Sequence, residues 1–215
     1  MRVLDLFSGT GGFSSAFVAA GDLVVRLDND ARFADVPHTR IGDVMAYKPR
    51  RGSFDVVVAS PPCQAFSMAG SGKGRERWMN GTDYPFFGPR LPVDPVSLIG
   101  CGLVLQARKL IERIRPRYFF IENPQGGLQT MGFMDDLPRV RVTYCQYGEA
   151  RMKPTTIFGS FPASWKPRRG CKNGDSCHVE ARRGARTGTQ GLKGAVARAA
   201  VPSPLSNEIR EAVVA

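Results

Sequence analysis

Short apolar segments alternate with segments of helical spacing along this chain, and the alternation leaves few possible folds. Each apolar segment is shorter than a typical helix and almost wholly apolar, as expected of strands buried on both faces of a parallel sheet. The predicted strands are residues 2–7, 23–27, 54–59 and 118–121, and the predicted helices are residues 13–20 and 97–114. The sequence therefore predicts a doubly wound α/β sheet with right-handed crossovers.

All four predicted strands end at residues that can carry chemistry. The residues that follow the four strands are a glycine-rich turn at 8–12, Asp28, the run Pro61-Pro62-Cys63 and the pair Glu122-Asn123. Ligands of such sheets bind at the carboxyl ends of the strands. We therefore expect these four groups to meet in one site at one edge of the sheet.

The first strand leads into the segment DLFSGTGG, residues 5–12, where glycine lets the backbone turn tightly and approach a ligand closely. Asp28 follows about twenty residues later, the spacing expected of an acid that binds ribose hydroxyls. Asp43-Val44 ends the next segment, where it can meet an adenine ring. A turn or helix-cap acid is the alternative for Asp28. The chain lacks a Walker-type Gly-Lys-Ser/Thr, which disfavours an ATPase.

Cys63 lies in the segment SPPCQAFS, residues 60–67, where two prolines fix the backbone and remove two donors. A thiolate at the tip of such a rigid turn is placed to attack an electrophile. An isolated cysteine is more often a small buried apolar residue. The flanking prolines and Gln64 favour the nucleophile.

Glu122 ends the apolar strand YFFI. A carboxyl group in an apolar setting can serve as an acid near neutral pH. The alternative is a strand-end carboxylate in a surface ion pair.

The charge of the chain is unusual, with 30 Lys and Arg against 19 Asp and Glu, a net charge of +11. More than half of the excess lies between residues 165 and 200, where nine basic residues face only Asp175 and Glu180. Such a chain prefers polyanions. The basic segment is either a solvated tail or a nucleic-acid surface. No apolar run approaches the ~20 residues that span a bilayer, and the start is not typical of a secretory signal, so we expect a cytoplasmic protein without a membrane partner.

Five cysteines and no recognisable signal indicate a reducing, intracellular setting. Cys171, Cys177 and His178 lie within eight residues around a glycine turn. Cys145 can supply the fourth ligand that a structural zinc ion needs, and His38 is more remote. Free thiols in a basic loop are the alternative to zinc.

The motifs DLFSGTGG, SPPCQAFS and ENP, in this order, resemble those of the cytosine-5 DNA methyltransferase family over roughly residues 1–160. In that family they are the cofactor turn, the nucleophile turn and the acid motif, usually Glu-Asn-Val, where this chain has Pro124 in place of valine. The resemblance implies a Rossmann-like methyltransferase sheet and S-adenosylmethionine as cofactor. The residues implied to bind the cofactor are Asp5, Phe7, Ser8, Gly9, Thr10, Gly11, Gly12, Asp28, Asn29, Asp43, Val44 and Pro61.

The resemblance also implies a mechanism for a cytosine flipped out of the helix. Cys63 adds to carbon 6 of the base while Glu122 hydrogen-bonds or protonates ring nitrogen 3. The methyl group then passes to carbon 5, and loss of the carbon-5 proton with elimination of Cys63 restores the ring. Residues 144–158 only loosely resemble the family's Gln-x-Arg-x-Arg segment, so either Lys153 or Arg151 is expected to stabilise the cytosine carbonyl or a phosphate.

Two regions are predicted to contact nucleic acid. Residues 68–95, rich in glycine, proline and charge, predict a long mobile loop, and the corresponding loop of the family closes over the flipped base. The second region is the basic segment. The candidate contacts are Gln64, Ser67, Lys73, Arg75, Arg77, Arg168, Arg169, Arg182, Arg183 and Arg186.

We predict a catalytic domain at residues 1–160, a small irregular basic recognition insert at 161–200, and a helix at 201–215 that returns to the catalytic domain. The insert is short for this family, which suits a phage or mobile-element enzyme. The leading prediction is a monomeric methyltransferase that acts on double-stranded DNA without a protein partner. An RNA (tRNA) cytosine-5 methyltransferase, a catalytically idle nucleic-acid-binding homologue and transfer of a larger group remain alternatives. Protection against a restriction enzyme and marking of DNA are not distinguished.

Overall fold

A computed structural model of the chain describes residues 1–67, 78–180 and 194–215. The strands in these ranges are β1 (Arg2–Leu6), β2 (Leu23–Asp28), β3 (Thr39–Ile41), β4 (Val56–Ala59), β5 (Trp78–Tyr84), β6 (Gly88–Pro92), β7 (Tyr118–Pro124), β8 (Arg139–Thr143) and β9 (Pro154–Ser160). The α-helices are α1 (Ser15–Ala19), α2 (Pro95–Ile114), α3 (Ala195–Ala199) and α4 (Ser203–Val214).

Seven strands form one sheet in the order β3-β2-β1-β4-β7-β9-β8. Strands β3, β2, β1, β4 and β7 run parallel, and β9 lies antiparallel between β7 and β8. The predicted doubly wound α/β fold is therefore confirmed. Strands β3, β8 and β9 were not predicted. The edge strand β8 alternates exposed arginines with valines instead of forming an apolar run.

Helices cover both faces of the sheet, as the continuous apolar strands require. In β4, Val56 and Val58 face the side packed by α1 and α4, whereas Val57 and Ala59 face the side packed by α2. All four side chains are inaccessible to solvent. Two apolar layers thus fix the plane of the sheet and leave its strand ends free to form a site.

Helix α2 begins two residues earlier than the apolar spacing predicts, because Asp94 caps it. Asp94 Oδ1 accepts a hydrogen bond from the Ser97 backbone N–H at 2.7 Å, and Ser97 Oγ accepts one from the Asp94 N–H. Pro95 occupies the first turn, where its missing N–H costs nothing. None of the helices in the described ranges is both long and apolar enough to span a membrane.

The prediction of a loop over residues 68–95 is wrong for residues 78–92, which form a β-hairpin. Strands β5 and β6 pair antiparallel, with Trp78 opposite Pro92 and Met79 opposite Leu91. The hairpin turn is held against the body of the protein because Phe86 packs on Phe133 and its carbonyl accepts the Phe133 N–H at 2.8 Å. Residues 68–77 lie outside the described residues.

The C-terminal helix α4 packs against α1. Ser206 Oγ donates to the Phe13 carbonyl at 2.8 Å and accepts the Ala16 N–H at 3.1 Å. Residues 161–180 contain no helix or strand. They are joined to α4 through Trp165 Nε1, which donates to Glu208 Oε1 at 3.0 Å. The division into a catalytic domain, an insert and a returning helix stays a prediction.

Candidate active site

The turn that carries Cys63 follows β4 directly and is held from two sides. Cys63 begins a single 3₁₀ turn, and its carbonyl accepts the backbone N–H groups of Phe66 and Ser67 at 3.0 and 2.8 Å. Asn123 Nδ2 donates to the Pro61 carbonyl at 3.0 Å, which ties the turn to the end of β7. The thiol is half-buried and free.

Glu122 lies beside this turn because Ala59 and Ile121 pair in adjacent parallel strands, so both strand ends meet at one level. The Glu122 side chain is nearly inaccessible, with 4% of the residue exposed. Its Oε1 accepts a hydrogen bond from Tyr144 Oη at 2.8 Å and lies 3.8 Å from Lys153 Nζ. The carboxyl group is therefore positioned by a hydroxyl and a cation.

Of the two cations that the sequence left open, the structure places Lys153 at Glu122. Lys153 Nζ also lies 4.4 Å from the ring centre of Tyr144, which orients the ammonium group. Arg151 points elsewhere, with Nη2 3.4 Å from a Glu149 carboxylate oxygen and 3.2 Å from the Ala197 carbonyl. Sequence reasoning missed Tyr144, although it begins the segment that supplied both cations.

The surroundings of Cys63 raise the pKa of its thiol. Burial is the largest cause, and the nearby Glu122 carboxylate adds to it, while Lys153 acts in the opposite direction. A raised pKa means that less thiolate is present at neutral pH than for an ordinary cysteine. Nucleophilic attack from this site therefore requires the substrate complex to remove the proton or to lower the pKa.

Helix α2 packs closely on the Cys63 turn, and Gly100 permits the approach. A Cβ atom added at Gly100 would lie 2.6 Å from Ala65 Cβ and 3.4 Å from the ring of Phe66. Gly102, two residues further along the same helix, has open space at the corresponding position. The absence of a side chain at Gly100 thus sets where the nucleophile turn lies.

These two glycines give a matched pair of substitutions. Gly102→Ala is expected to stabilise the protein by about 1 kcal/mol, because alanine favours the helix. Gly100→Ala gains the same propensity but overpacks the Cys63 turn, so we expect it to be about 1–3 kcal/mol less stable than Gly102→Ala and slower in catalysis. Denaturant unfolding and initial rates measure both variants. Equal stability of the two variants would contradict the packing argument.

A pocket lies at the carboxyl ends of β1 and β4, around the glycine turn. Phe7, at the start of the turn, has a left-handed backbone with φ of 57°, and its N–H donates to the Leu27 carbonyl at 2.9 Å. Residues near the C-terminus close the other side. The pocket is lined by Phe7, Ser8, Gly9, Thr10, Gly12, Phe13, Phe33, Ser60, Val196, Ala199, Ala200 and Val201. Phe13, Phe33, Ser60 and the C-terminal residues were not among the cofactor residues expected from the sequence.

Asp28 fixes the glycine turn through its carboxylate. One oxygen accepts the Gly9 N–H at 2.8 Å and the other accepts the Asp30 N–H at 2.9 Å. This is the turn-acid role that the sequence left open, and each oxygen retains a lone pair for a ligand. Asp43 is exposed and accepts the Met45 N–H, whereas Val44 is buried in the core. Asn29 is exposed and Pro61 is buried.

Asp5, which the resemblance implies as a cofactor residue, is not among the residues that line the pocket. It is fully buried beneath the turn, where Oδ2 accepts a hydrogen bond from Ser14 Oγ at 2.6 Å. Arg26 donates to the same hydroxyl and to the Gly11 carbonyl. Burial raises the pKa of Asp5 to about 7. A Cβ at Gly11 would lie 2.3 Å from Arg26 Cζ, so this network also requires glycine there.

The predicted nucleic-acid contacts divide into three groups. Gln64 is exposed beside Cys63, and Ser67 forms an isolated antiparallel β-bridge with Gly126. Arg168 and Arg169 are both exposed, and Arg168 is also paired within the protein, with Nε 3.3 Å from a Glu208 carboxylate oxygen. The remaining candidates, Lys73, Arg75, Arg77, Arg182, Arg183 and Arg186, lie outside the described residues.

The four predicted zinc ligands converge, although Cys145 lies 26 residues before Cys171 in the chain. The ligand atoms of Cys145, Cys171, Cys177 and His178 all lie within 4.8 Å of one another. The cluster stands apart from the cofactor pocket, in the segment that follows β8 and in the insert.

The fold and the site together define a class of protein, an α/β enzyme with a glycine-turn cofactor pocket beside a cysteine–carboxyl pair. The family model described as C-5 cytosine-specific DNA methylase matches residues 1–131, more than half of the chain. The chain belongs to this family, and it is thereby a methyltransferase by class. The predicted family and enzyme class are confirmed.

Individual relatives are similar over different shares of their length. A probable DNA (cytosine-5)-methyltransferase of Frog virus 3 is 29% identical over 180 residues, which cover 80% of this chain and 78% of the relative. The type II methyltransferase M.HpaII of Haemophilus parainfluenzae is 31% identical over 134 residues, 57% of this chain and 31% of that one. The solved methyltransferase EhMeth of Entamoeba histolytica superposes with a TM-score of 0.50 at 13% identity, over 82% of this chain and 57% of that one. This superposition shows a shared fold.

Proposed function

We propose that this protein methylates carbon 5 of a flipped cytosine in double-stranded DNA, through a covalent adduct with Cys63. The observation that carries the proposal is the meeting of Cys63 and Glu122 at adjacent strand ends, with Lys153 3.8 Å from the carboxylate. A nucleophile for carbon 6 and a polar group for ring nitrogen 3 are what this reaction requires. Membership of the family supports the same chemistry.

The pocket fits S-adenosylmethionine as the cofactor. Ser8 Oγ and Ser60 Oγ line it, are buried, and have no hydrogen-bond partner among the described residues. A polar ligand would satisfy both hydroxyls. The glycine turn and Phe7 supply a close backbone and an apolar ring for the remainder of the molecule. When bound, the cofactor supplies an electrophilic methyl group.

Each side chain of the site has a separate role in the reaction. The Cys63 sulfur bonds carbon 6 of the cytosine, and the ring electrons displaced by that bond make carbon 5 nucleophilic. Glu122 holds or protonates ring nitrogen 3, with Tyr144 fixing the orientation of its carboxyl group. Lys153 stabilises the cytosine carbonyl. After carbon 5 has been methylated and its proton lost, the Cys63–carbon 6 bond breaks and returns the thiolate.

Incubation of the protein with S-adenosylmethionine and duplex DNA tests the proposal. Mass spectrometry of the digested nucleosides should detect 5-methylcytosine, and site-resolved sequencing should place it at one short sequence. A duplex in which 5-methylcytosine replaces every cytosine is the matched control and should accept no methyl group. Binding of duplex without any product would identify an idle homologue. Product on added tRNA at the expense of duplex would favour the RNA alternative.

We also propose that the protein acts as a monomer on DNA alone and protects its target against a restriction enzyme. Support comes from the relatives, several of which are named type II methyltransferases. The viral relative agrees with an origin in a phage or another mobile element. Sedimentation of the active protein measures the oligomeric state.

A further inference from the structure

The cluster of Cys145, Cys171, Cys177 and His178 has dimensions that can be compared with those of a metal site. Cys177 Sγ lies 3.8 Å from Cys145 Sγ and 3.4 Å from His178 Nδ1, and Cys171 Sγ lies 3.7 Å from the same nitrogen. With Zn–S distances of ~2.3 Å and Zn–N distances of ~2.0 Å, the ligand atoms around a tetrahedral zinc ion are separated by ~3.8 Å (S···S) and ~3.5 Å (S···N). The three measured distances agree with these values.

The distance between Cys145 Sγ and Cys171 Sγ is shorter than the other three. The two sulfurs are 3.0 Å apart, closer than two ligands of one zinc ion and farther than the ~2.05 Å of a disulfide bond. All the described cysteines are free. The two sulfurs must therefore separate slightly as an ion enters, whereas a disulfide would draw them together.

The charge of the ligands in residues 171–180 and the way this segment is attached to the rest of the protein both favour a bound metal ion. Three thiolates and a neutral imidazole around Zn²⁺ leave one negative charge, and basic residues surround the ligands in sequence. Residues 171–180 contain no helix or strand, and hydrogen bonds hold them to the body at Cys171 N with Thr143 Oγ1 (3.2 Å) and at Val179 N with the Ala150 carbonyl (2.9 Å). A metal crosslink would stabilise a segment with so little regular structure.

We propose that Cys145, Cys171, Cys177 and His178 bind one structural zinc ion that fastens the basic insert to the end of β8. Binding displaces three thiol protons to solvent and uses His178 Nδ1 as the neutral ligand. Tyr144, which donates to Glu122, precedes Cys145 directly. The ion therefore fixes the insert next to the residue that orients the candidate acid. The inference stands independently of the methyl-transfer proposal.

Metal analysis of the full chain tests the site. Protein expressed with added zinc and dialysed against metal-free buffer should retain about one zinc ion per chain. Cys171→Ser and His178→Asn should each lower the content below about one fifth. Cys101→Ser and His38→Asn are the matched controls and should retain the ion, because neither residue belongs to the cluster. Circular dichroism identifies any variant that fails to fold.

Cobalt gives a second measurement that does not depend on activity. Co²⁺ added to the metal-free protein should produce the visible bands of a tetrahedral thiolate site, and these should be absent from His178→Asn. Folded wild-type protein with less than about one tenth of a zinc ion per chain would overturn the proposal. So would full zinc content in Cys171→Ser, or a Cys145–Cys171 disulfide in peptides of the unreduced protein.

Discussion

Replacing Cys63 with alanine is expected to abolish methyl transfer, with the initial rate falling at least about a thousandfold. The reason is that carbon 5 of cytosine becomes nucleophilic only after a sulfur has added to carbon 6. Alanine has no group that can add, and Cys63 is the only cysteine in the turn at residues 60–67. The rate is measured by transfer of labelled methyl groups to duplex DNA.

The affinity of Cys63→Ala for DNA should stay within a few-fold of that of the wild type, because the phosphate contacts that dominate affinity are unchanged. Cys101→Ala is the matched control and should retain its rate, since the Cys101 thiol is buried in the apolar core on α2. Duplex containing 5-fluorocytosine, whose carbon 5 has no removable proton, should trap a covalent complex with the wild type alone. A trapped complex or normal turnover with Cys63→Ala would disprove the assigned nucleophile.

Glu122→Gln is expected to lower turnover by about 10²–10⁴-fold, the usual contribution of a positioned acid. Glutamine nearly preserves the shape of the side chain, and its amide oxygen can still accept the hydrogen bond from Tyr144 Oη. It cannot deliver a proton to ring nitrogen 3. The single-turnover rate at saturating cofactor and DNA isolates this step.

Although Glu122→Gln is expected to slow methyl transfer, it should make the Cys63 thiol more reactive. The negative charge of Glu122 raises the pKa of the Cys63 thiol, so its removal lowers that pKa and increases the thiolate fraction at neutral pH. Alkylation of Cys63, followed by mass spectrometry of its peptide, should therefore accelerate in Glu122→Gln. The exposed helix residue Glu112 supplies the control Glu112→Gln, which should change neither rate. Slower alkylation together with unchanged turnover would show that Glu122 does not act on this site.

The parallel part of the fold was predictable because its strands are buried on both faces. Such strands are continuous apolar runs, and their ends can be located by the residue types that interrupt them. The hairpin at residues 78–92 was not predictable in this way, since its turn is held by packing of Phe86 on Phe133, far away in sequence. The basic insert also lacks any periodic pattern, because it contains no helix or strand over residues 161–180.

The sequence by itself determined the type of site, because Cys63, Glu122 and the glycine turn are each recognisable from their immediate neighbours. Tertiary structure decided how the groups act on one another. It placed Lys153 at Glu122 in preference to Arg151, added Tyr144, and buried Asp5 beneath the turn. It also brought Cys145 next to Cys171, Cys177 and His178, a convergence that the sequence only proposed. These outcomes depend on contacts between residues that are distant in the chain. The residues next to a side chain in sequence do not indicate which distant groups it will contact.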